Sequence, residues 1–362
     1  MEARRILTII KYNNKDISAD ISKYLKSISY TDNLSGEADD LQITLEDKAG
    51  LWQSTWMPEK GALLDVMLQQ KYWQTLSALP QSLRLGLFEI DEITSSGYPS
   101  EVQIKAVSVP DNNTLRGTER SRSWEKAKLQ VIANDIASAA GMSLFWDTEE
   151  NPVLDRAEQT EQSDLSFLYA ICKDKGLALK ISDKKIIVFD EAKYEAEKAK
   201  ITIVKPGIIY KKESGMKYLF VGTGYSLRTK IRDIYAACRV NYQQGSSKSN
   251  IEATYTVAGK KGKTLQVNEQ VESVAEALNL AKKRLREKNK DEVTGYLNML
   301  GNFVLLSGVT VNLLGFGAFD GRYLITRASH DIGSGYTTNI DVRRCLNCLL
   351  YTSPSPRDIS GS

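Results

Sequence analysis

The residue types able to do chemistry fall in a few short stretches, and the densest is acidic. Glu37, Asp39, Asp40, Glu46 and Asp47 lie within Tyr30 to Asp47, and Glu89, Asp91 and Glu92 follow in Phe-Glu-Ile-Asp-Glu-Ile. Two carboxylates held a few ångströms apart can act as acid and base on a glycosidic bond. Spacing along the chain does not bring any two of these together, and the reading they support is solvated loop and strand faces. His330-Asp331 has the look of a metal phosphohydrolase dipeptide, yet His330 is the only histidine in the chain. A metal centre or a nucleophile–base relay needs further ligands placed beside it, and the commonest general base is otherwise missing. A structural role is the expectation for His330.

The glycine and cysteine motifs fail on context. Gly259-Lys-Lys-Gly-Lys-Thr264 ends like a phosphate-binding loop, but Val257 stands where the first glycine belongs. Leu265-Gln266-Val267 then alternates like a strand, where a helix N-terminus would have to face the phosphates. A basic hairpin turn is expected there. Gly315-Phe-Gly-Ala-Phe-Asp-Gly321 has Asp320 at the third glycine of a dinucleotide fingerprint, again with a strand following. It reads as a tight turn between strands, as does Gly222-Thr-Gly224. Cys345-x-x-Cys348 has no second pair to complete a metal site, and Cys172 and Cys238 sit in apolar contexts as core thiols. Lys282 to Lys290 is basic, but Glu287 and an apolar stripe make it a solvated helix face. No catalytic, cofactor-binding or metal-binding residue is expected from these stretches, and no enzyme activity.

Elements of strand periodicity surround these residues. Leu41, Ile43 and Leu45 alternate with Gln42, Thr44 and Glu46, and Leu64, Val66 and Leu68 repeat the pattern after Trp52, Trp56 and a Pro-Glu-Lys-Gly turn. Leu83 to Ser95 and Glu101 to Val109 form a hairpin across Ser96-Gly-Tyr-Pro-Ser100. Residues 1–118 therefore read as a first β-barrel domain. The period changes in residues 119–200. Leu129, Ile132 and Ile136 are helically spaced, with Ser123 as N-cap and Gly141 as stop, and a second helix runs from Ser163 to Gly176. Ser182-Asp-Lys-Lys185 turns a hairpin, giving a small α+β insertion. Strands return in residues 201–347, with candidates at 218–221, 235–242, 251–257, 264–267, 303–306, 309–313, 323–330 and 337–343. One helix opens on the capping box Ser273–Glu276. Residues 348–362 resemble a translated sequencing adaptor and are expected not to be native.

The 362 residues suffice for two or three domains at ~100–200 residues each. A net charge of +3 is too small to call for a nucleic-acid or membrane partner. No apolar run approaches the ~18 residues of a membrane span, and the N-terminus lacks the apolar core of a signal peptide.

The order of the landmarks carries a resemblance. Tyr30-Thr-Asp-Asn-Leu-Ser-Gly-Glu-Ala-Asp-Asp-Leu comes first, then Trp52 and Trp56-Met-Pro-Glu-Lys-Gly, then Leu85-Gly-Leu-Phe-Glu-Ile-Asp91. Gln162-Ser-Asp-Leu-Ser-Phe-Leu, Arg284-Leu-Arg-Glu-Lys-Asn, the Gly315 segment, His330-Asp-Ile-Gly and Asp341-Val-Arg-Arg-Cys-Leu follow. Over residues 4–347 the chain resembles the phage late control gene D family. These are tail baseplate hub proteins related to the hub portion of VgrG spikes in type VI secretion.

The resemblance implies a mainly β (α+β) fold of two antiparallel tail-tube-like β-barrels with a small α+β insertion domain. It implies a structural homotrimer, acting as symmetry adaptor between a sixfold tail tube and a threefold spike. Tube, spike or needle, and baseplate wedge proteins are the expected partners, with no specific nucleic acid and no stable membrane association. The expected place is the virion tail baseplate, assembled in the bacterial host cytoplasm. Asp32, Gly36, Asp39, Asp40, Trp56 and Gly61 become candidate interface residues. A VgrG-like hub, a hub with peptidoglycan hydrolase activity and a transcription regulator are the alternatives. The last would need a basic recognition helix, and the one strongly basic helix lies inside the second β region.

Overall fold

The computed structural model describes residues 4–73, 79–108, 115–243 and 250–346. The adaptor-like segment, Cys348 of the Cys-x-x-Cys pair and residues 111–114 of the polar break lie outside them.

The first unit is built from β1 (Arg5–Tyr12), β2 (Lys15–Asp16), a short helix α1 (Ser18–Ile21), β3 (Leu25–Asn33), β4 (Asp40–Glu46), β5 (Leu63–Lys71), β6 (Gln81–Ser96) and β7 (Glu101–Val107). All pairings are antiparallel, in the order β3-β4-β7-β6-β5-β1-β2. The expected alternation holds: Leu41, Ile43 and Leu45 on β4, and Leu64, Val66 and Leu68 on β5, turn into one buried core with Ile10, Phe88 and Ile104. The period of two places every second side chain on the same face, so the sheet curls around those residues.

The inserted unit comprises β8 (Glu119–Lys128), α2 (Leu129–Ala139), β9 (Ser143–Asp147), β10 (Val153–Ser163), α3 (Asp164–Asp174), β11 (Ala178–Ser182), β12 (Lys185–Phe189) and α4 (Glu191–Ala196). Strands β8 and β10 form a two-stranded ribbon, and β11-β12-β9 a second small sheet. The cap assigned to Ser123 is corrected. Ser123 lies in mid-β8 opposite Glu158, and α2 starts after extended Lys128. Its first amides are satisfied from across the fold, Leu129 N by Pro152 O at 2.9 Å and Gln130 N by Asn151 Oδ1 at 3.1 Å. No local cap is needed when a neighbouring segment supplies the acceptors. Helix α3 follows its signals, with Ser163 Oγ accepting from Ser166 N and Gly176 reversing the chain at φ +75°.

The third unit comprises β13 (Ile201–Val204), β14 (Tyr218–Thr229), β15 (Tyr235–Gln243), β16 (Asn250–Thr256), β17 (Lys263–Val267), α5 (Val274–Asn289), β18 (Val293–Leu300), β19 (Thr310–Leu314), β20 (Gly321–Ile332) and β21 (Tyr336–Arg344). Strands β19-β13-β14-β18-β21-β20 form a ring closed by the β19–β20 pairing, filled by Ile203, Leu297, Val311, Tyr323 and Ile340. Strands β16-β15-β17 stand outside that ring as a separate sheet, covered by α5 through Ala277, Ala281 and Leu285.

Three local expectations change. The basic Gly259–Thr264 segment is not a hairpin turn: β16 and β17 flank β15, so the segment crosses from one edge of the sheet to the other. Gly222-Thr-Gly224 is a bulge inside β14, where the register slips between Val221 and Tyr225. Residues 303–306 form no strand but an irregular loop, and its backbone is used at the junction below. The Gly315–Gly321 turn does join paired strands, β19 and β20, through a short 3-10 turn at Gly317–Phe319.

The first and third units are one sheet. Residues Ile28–Asn33 of β3 pair antiparallel with Arg327–Ile332 of β20. The fold is thus mainly β, a curved antiparallel sheet joined edge to edge with a closed six-stranded barrel and carrying an α+β insertion.

Candidate functional site

The ionisable side chains that leave solvent gather where the three units meet. Asp39 is 1% exposed and accepts from Asn33 N at 2.8 Å. Lys180, on β11 of the inserted unit, reaches into the same space. It donates to Asp32, to Asp39 Oδ1 at 3.0 Å, to Asn33 O at 2.7 Å and to Ser307 Oγ at 3.3 Å. Asp32 in turn accepts from Ser307 N at 2.7 Å and Ser307 Oγ at 2.8 Å. β3 and its following loop, β11 and the 301–309 loop thereby share one buried polar cluster. A buried apolar cluster of Leu34, Ala178, Phe189 and Leu324 also draws one side chain or more from each unit.

Burial pushes the Asp39 carboxyl up to about 7, against the pull of Lys180. Desolvation alone would lower Lys180, but the charges of Asp32 and Asp39 outweigh it and hold the ammonium above its ordinary value.

His330 sits on the neighbouring part of β20, fully buried. Leu305 O can only accept, so Nε2 carries the proton and donates to it at 3.0 Å. Nδ1 then accepts from Tyr336 Oη at 2.7 Å. The ring stacks loosely on Tyr30, with centroids 6.0 Å apart, and the Tyr336 ring centroid lies 5.9 Å away. Burial lowers its pKa to about 4, so it is a neutral, satisfied imidazole. The structural role expected of this residue is what the geometry provides.

A second ionic cluster ties the end of the barrel to both helical regions. Arg343 of β21 pairs with Glu191 at 2.8 Å and with Glu195 of α4, and Arg286 of α5 pairs with Glu195 at 2.8 Å. Glu195 also accepts from Leu346 N at 3.0 Å. Burial alone would raise Glu191, but Arg343, Lys290 and Arg286 hold it below the usual carboxylate range. The face of α5 expected to be solvated is instead a docking face. Lys283 pairs with Glu150 and Arg284 with Asp174, both in the inserted unit, while Arg284 also pairs with Glu269 at 2.6 Å.

The remaining sequence candidates separate. Asp32 and Asp39 are buried in the junction, while Asp40 and Gly36 stay exposed. Gly36 turns at φ +86° below Tyr169 of α3, where an added Cβ would lie 2.7 Å from the phenol oxygen. Trp56 is 45% exposed and packs edge-on against Trp52 and Tyr24, with Gly61 at φ +81° nearby in the chain. Solvated faces describe Asp91 and Glu92, but not Asp39, Asp47 or Glu89, which are buried. Asp47 is buried because it caps two amides, Trp52 N at 3.0 Å and Gln53 N at 3.2 Å. Cys172 and Cys238 are fully buried, and burial pushes the Cys172 thiol up to about 12. Among the described residues no group of three or more histidine, cysteine, aspartate or glutamate side chains is placed to hold a metal ion. Lys180 and Ser307 were missed as junction residues. The one signal available was a lysine inside an otherwise apolar strand, Ala178-Leu-Lys-Ile.

No protein-family model matches the chain. A probable baseplate hub protein of Escherichia phage 186 is 29% identical over 180 residues, 49% of this chain and 43% of that protein. The match thus spans less than half the length of that relative. Among solved structures, the 43 kDa tail protein of prophage MuSo2 from Shewanella oneidensis superimposes with a TM-score of 0.67 at 14% identity, covering 94% of this chain and 98% of that one. The E. coli c3393 protein, described as a type VI secretion component structurally similar to phage T4 tail proteins gp27 and gp5, gives 0.52 at 12% identity, covering 98% and 80%. The structural likenesses speak to the fold. The sequence relative bears out the resemblance to baseplate hub proteins of phage tails.

Proposed function

We propose that this relative of phage baseplate hub proteins is itself a structural hub: a homotrimer that adapts a sixfold tail tube to a threefold spike in the virion baseplate. The observation that carries the reading is the edge-to-edge fusion of two β units through β3 and β20. Two such units per chain, three chains to a ring, would present six similar faces to a tube and a threefold axis to a spike. The hub name of the sequence relative and the extent of the tail-protein superposition support it. Tube, spike and wedge proteins are then the partners, and the division into residues 1–118, 119–200 and 201–347 describes the two β units and the insertion between them.

The role is mechanical, holding a spike and sealing a tube, and asks nothing of a catalytic group. Asp32 and Asp39 serve the interior of the subunit. The exposed candidates Gly36, Asp40 and Trp56, with half-buried Gly61, remain for contacts with a second subunit or the tube. Light scattering of the purified chain should give three times its 40.4 kDa. A monomer at every concentration, with and without the cognate spike, would count against the trimer. Lysis of peptidoglycan in a zymogram would overturn the non-enzymatic reading.

A type VI hub of the VgrG kind is the second reading, favoured by the 98% coverage of this chain on the c3393 protein. Gene disruption separates the two: loss of infectious particles supports a phage tail, and loss of contact-dependent secretion supports the alternative.

A further inference from the structure

The junction cluster contains two buried carboxylates and one largely buried ammonium. With both carboxylates ionised it holds an uncompensated negative charge. With one proton bound it is neutral. Asp39 Oδ2 is buried with no hydrogen-bond partner, so one oxygen of this pair has nothing to stabilise a full charge. The cluster also sits on a seam rather than inside one unit. On either side of Lys180 the free edge of β11 is clasped to the first unit, Gly36 N to Leu179 O at 3.3 Å, Leu179 N to Ser35 Oγ at 3.2 Å and Ser108 Oγ to Ile181 O at 3.1 Å.

We propose that Asp32, Asp39 and Lys180 form a proton-linked clasp between the first β unit and the inserted unit, closed while the cluster is neutral and loosened when its shared proton leaves. The surrounding groups set the direction. From β3 the buried phenol of Tyr30 lies near the cluster, and Asp40 at the start of β4 adds negative charge there, with Glu37 of the intervening loop beside Asp40. From β20 Arg327 lies near Asp40, and neutral His330 near Asp32. The 301–309 loop contributes Ser307, and the residue after β7 contributes Ser108; both are uncharged. Among the described residues Lys180 is the one cation paired with either carboxylate, so no second paired cation compensates deprotonation. The upward displacement of Asp39 to about 7 puts the release near neutrality. The clasp depends on the fold alone and stands whether or not the hub reading does.

The test is amide hydrogen exchange of the full chain from pH 6 to pH 8.5, corrected for intrinsic exchange chemistry and read at residues 34–40 and 178–182. Protection there should fall by up to about tenfold per pH unit below the release point, as expected for one linked proton, and level off above it. It should stay flat in Asp39→Asn. Equal slopes in both proteins, or none in wild type, would overturn the proposal. The wild-type chain also answers without any variant. Aspartate 13Cγ shifts should show one carboxyl titrating between pH 6 and 8, and full ionisation of every aspartate by pH 5.5 would sink the idea.

Discussion

His330 and Asp39 are buried within one junction, and their protonation pulls stability in opposite directions. The folded pKa of His330 is depressed to about 4, so the unfolded chain takes up the proton first. Its contribution is complete above about 6.5 and is lost as pH falls toward 4. That of Asp39 is raised to about 7, so the folded chain binds the proton first. Its contribution is complete below about 3.8 and is lost as pH rises through 7. In wild type the slopes partly cancel. Urea unfolding between pH 4 and 7 should therefore show Asp39→Asn gaining stability with pH more steeply than wild type, by up to about 3 kcal/mol from the histidine. His330→Phe should show the reverse. The neutral role of His330 was legible because a lone histidine has no partner for chemistry. The burial of Asp39 was not, because Lys180 lies 141 residues away in the chain.

Elements whose signals are local were read well, and those completed by distant segments were not. Ser163 and Ser273 both cap as their spacing implied, Ser273 Oγ accepting from Glu276 N at 3.2 Å. Ser273→Ala should cost about 1 kcal/mol in thermal or chemical unfolding. Helix α2 takes its acceptors from the 151–152 turn, so no cap residue marked its start. The 301–309 loop has strand-like residues but spends its backbone on His330 and Asp32. Gly301 there passes so close to Tyr336 that an added Cβ would sit 2.2 Å from the ring. Gly301→Ala should cost about 1–3 kcal/mol, measured by denaturant midpoint. Where α4, α5 and β21 meet, Arg343→Met would leave Glu191 and Glu195 facing each other, with Arg286 and Lys290 as their remaining cations. A loss of about 3–5 kcal/mol is expected in the same assay.

At the scale of the molecule, strand periodicity announced two β regions and an α+β insertion, and the order of landmarks announced their kinship. It did not announce that β15, β16, β17 and α5 stand outside the barrel. Their strands alternate like barrel strands, and what sets them apart is a crossover between sheet edges that no local pattern encodes. Trp56→Glu tests the outer surface: if the exposed indole serves a subunit contact, the trimer should dissociate in light scattering while the melting temperature stays within a few degrees. The β3–β20 pairing has a consequence for force. The two strands run antiparallel along the six positions from Ile28 to Asn33. A pull that separates the two β units along the strand axis loads those hydrogen bonds together in shear, whereas a sideways pull opens them one at a time. A single chain stretched along that axis in an optical trap should accordingly yield at higher force than one peeled across it.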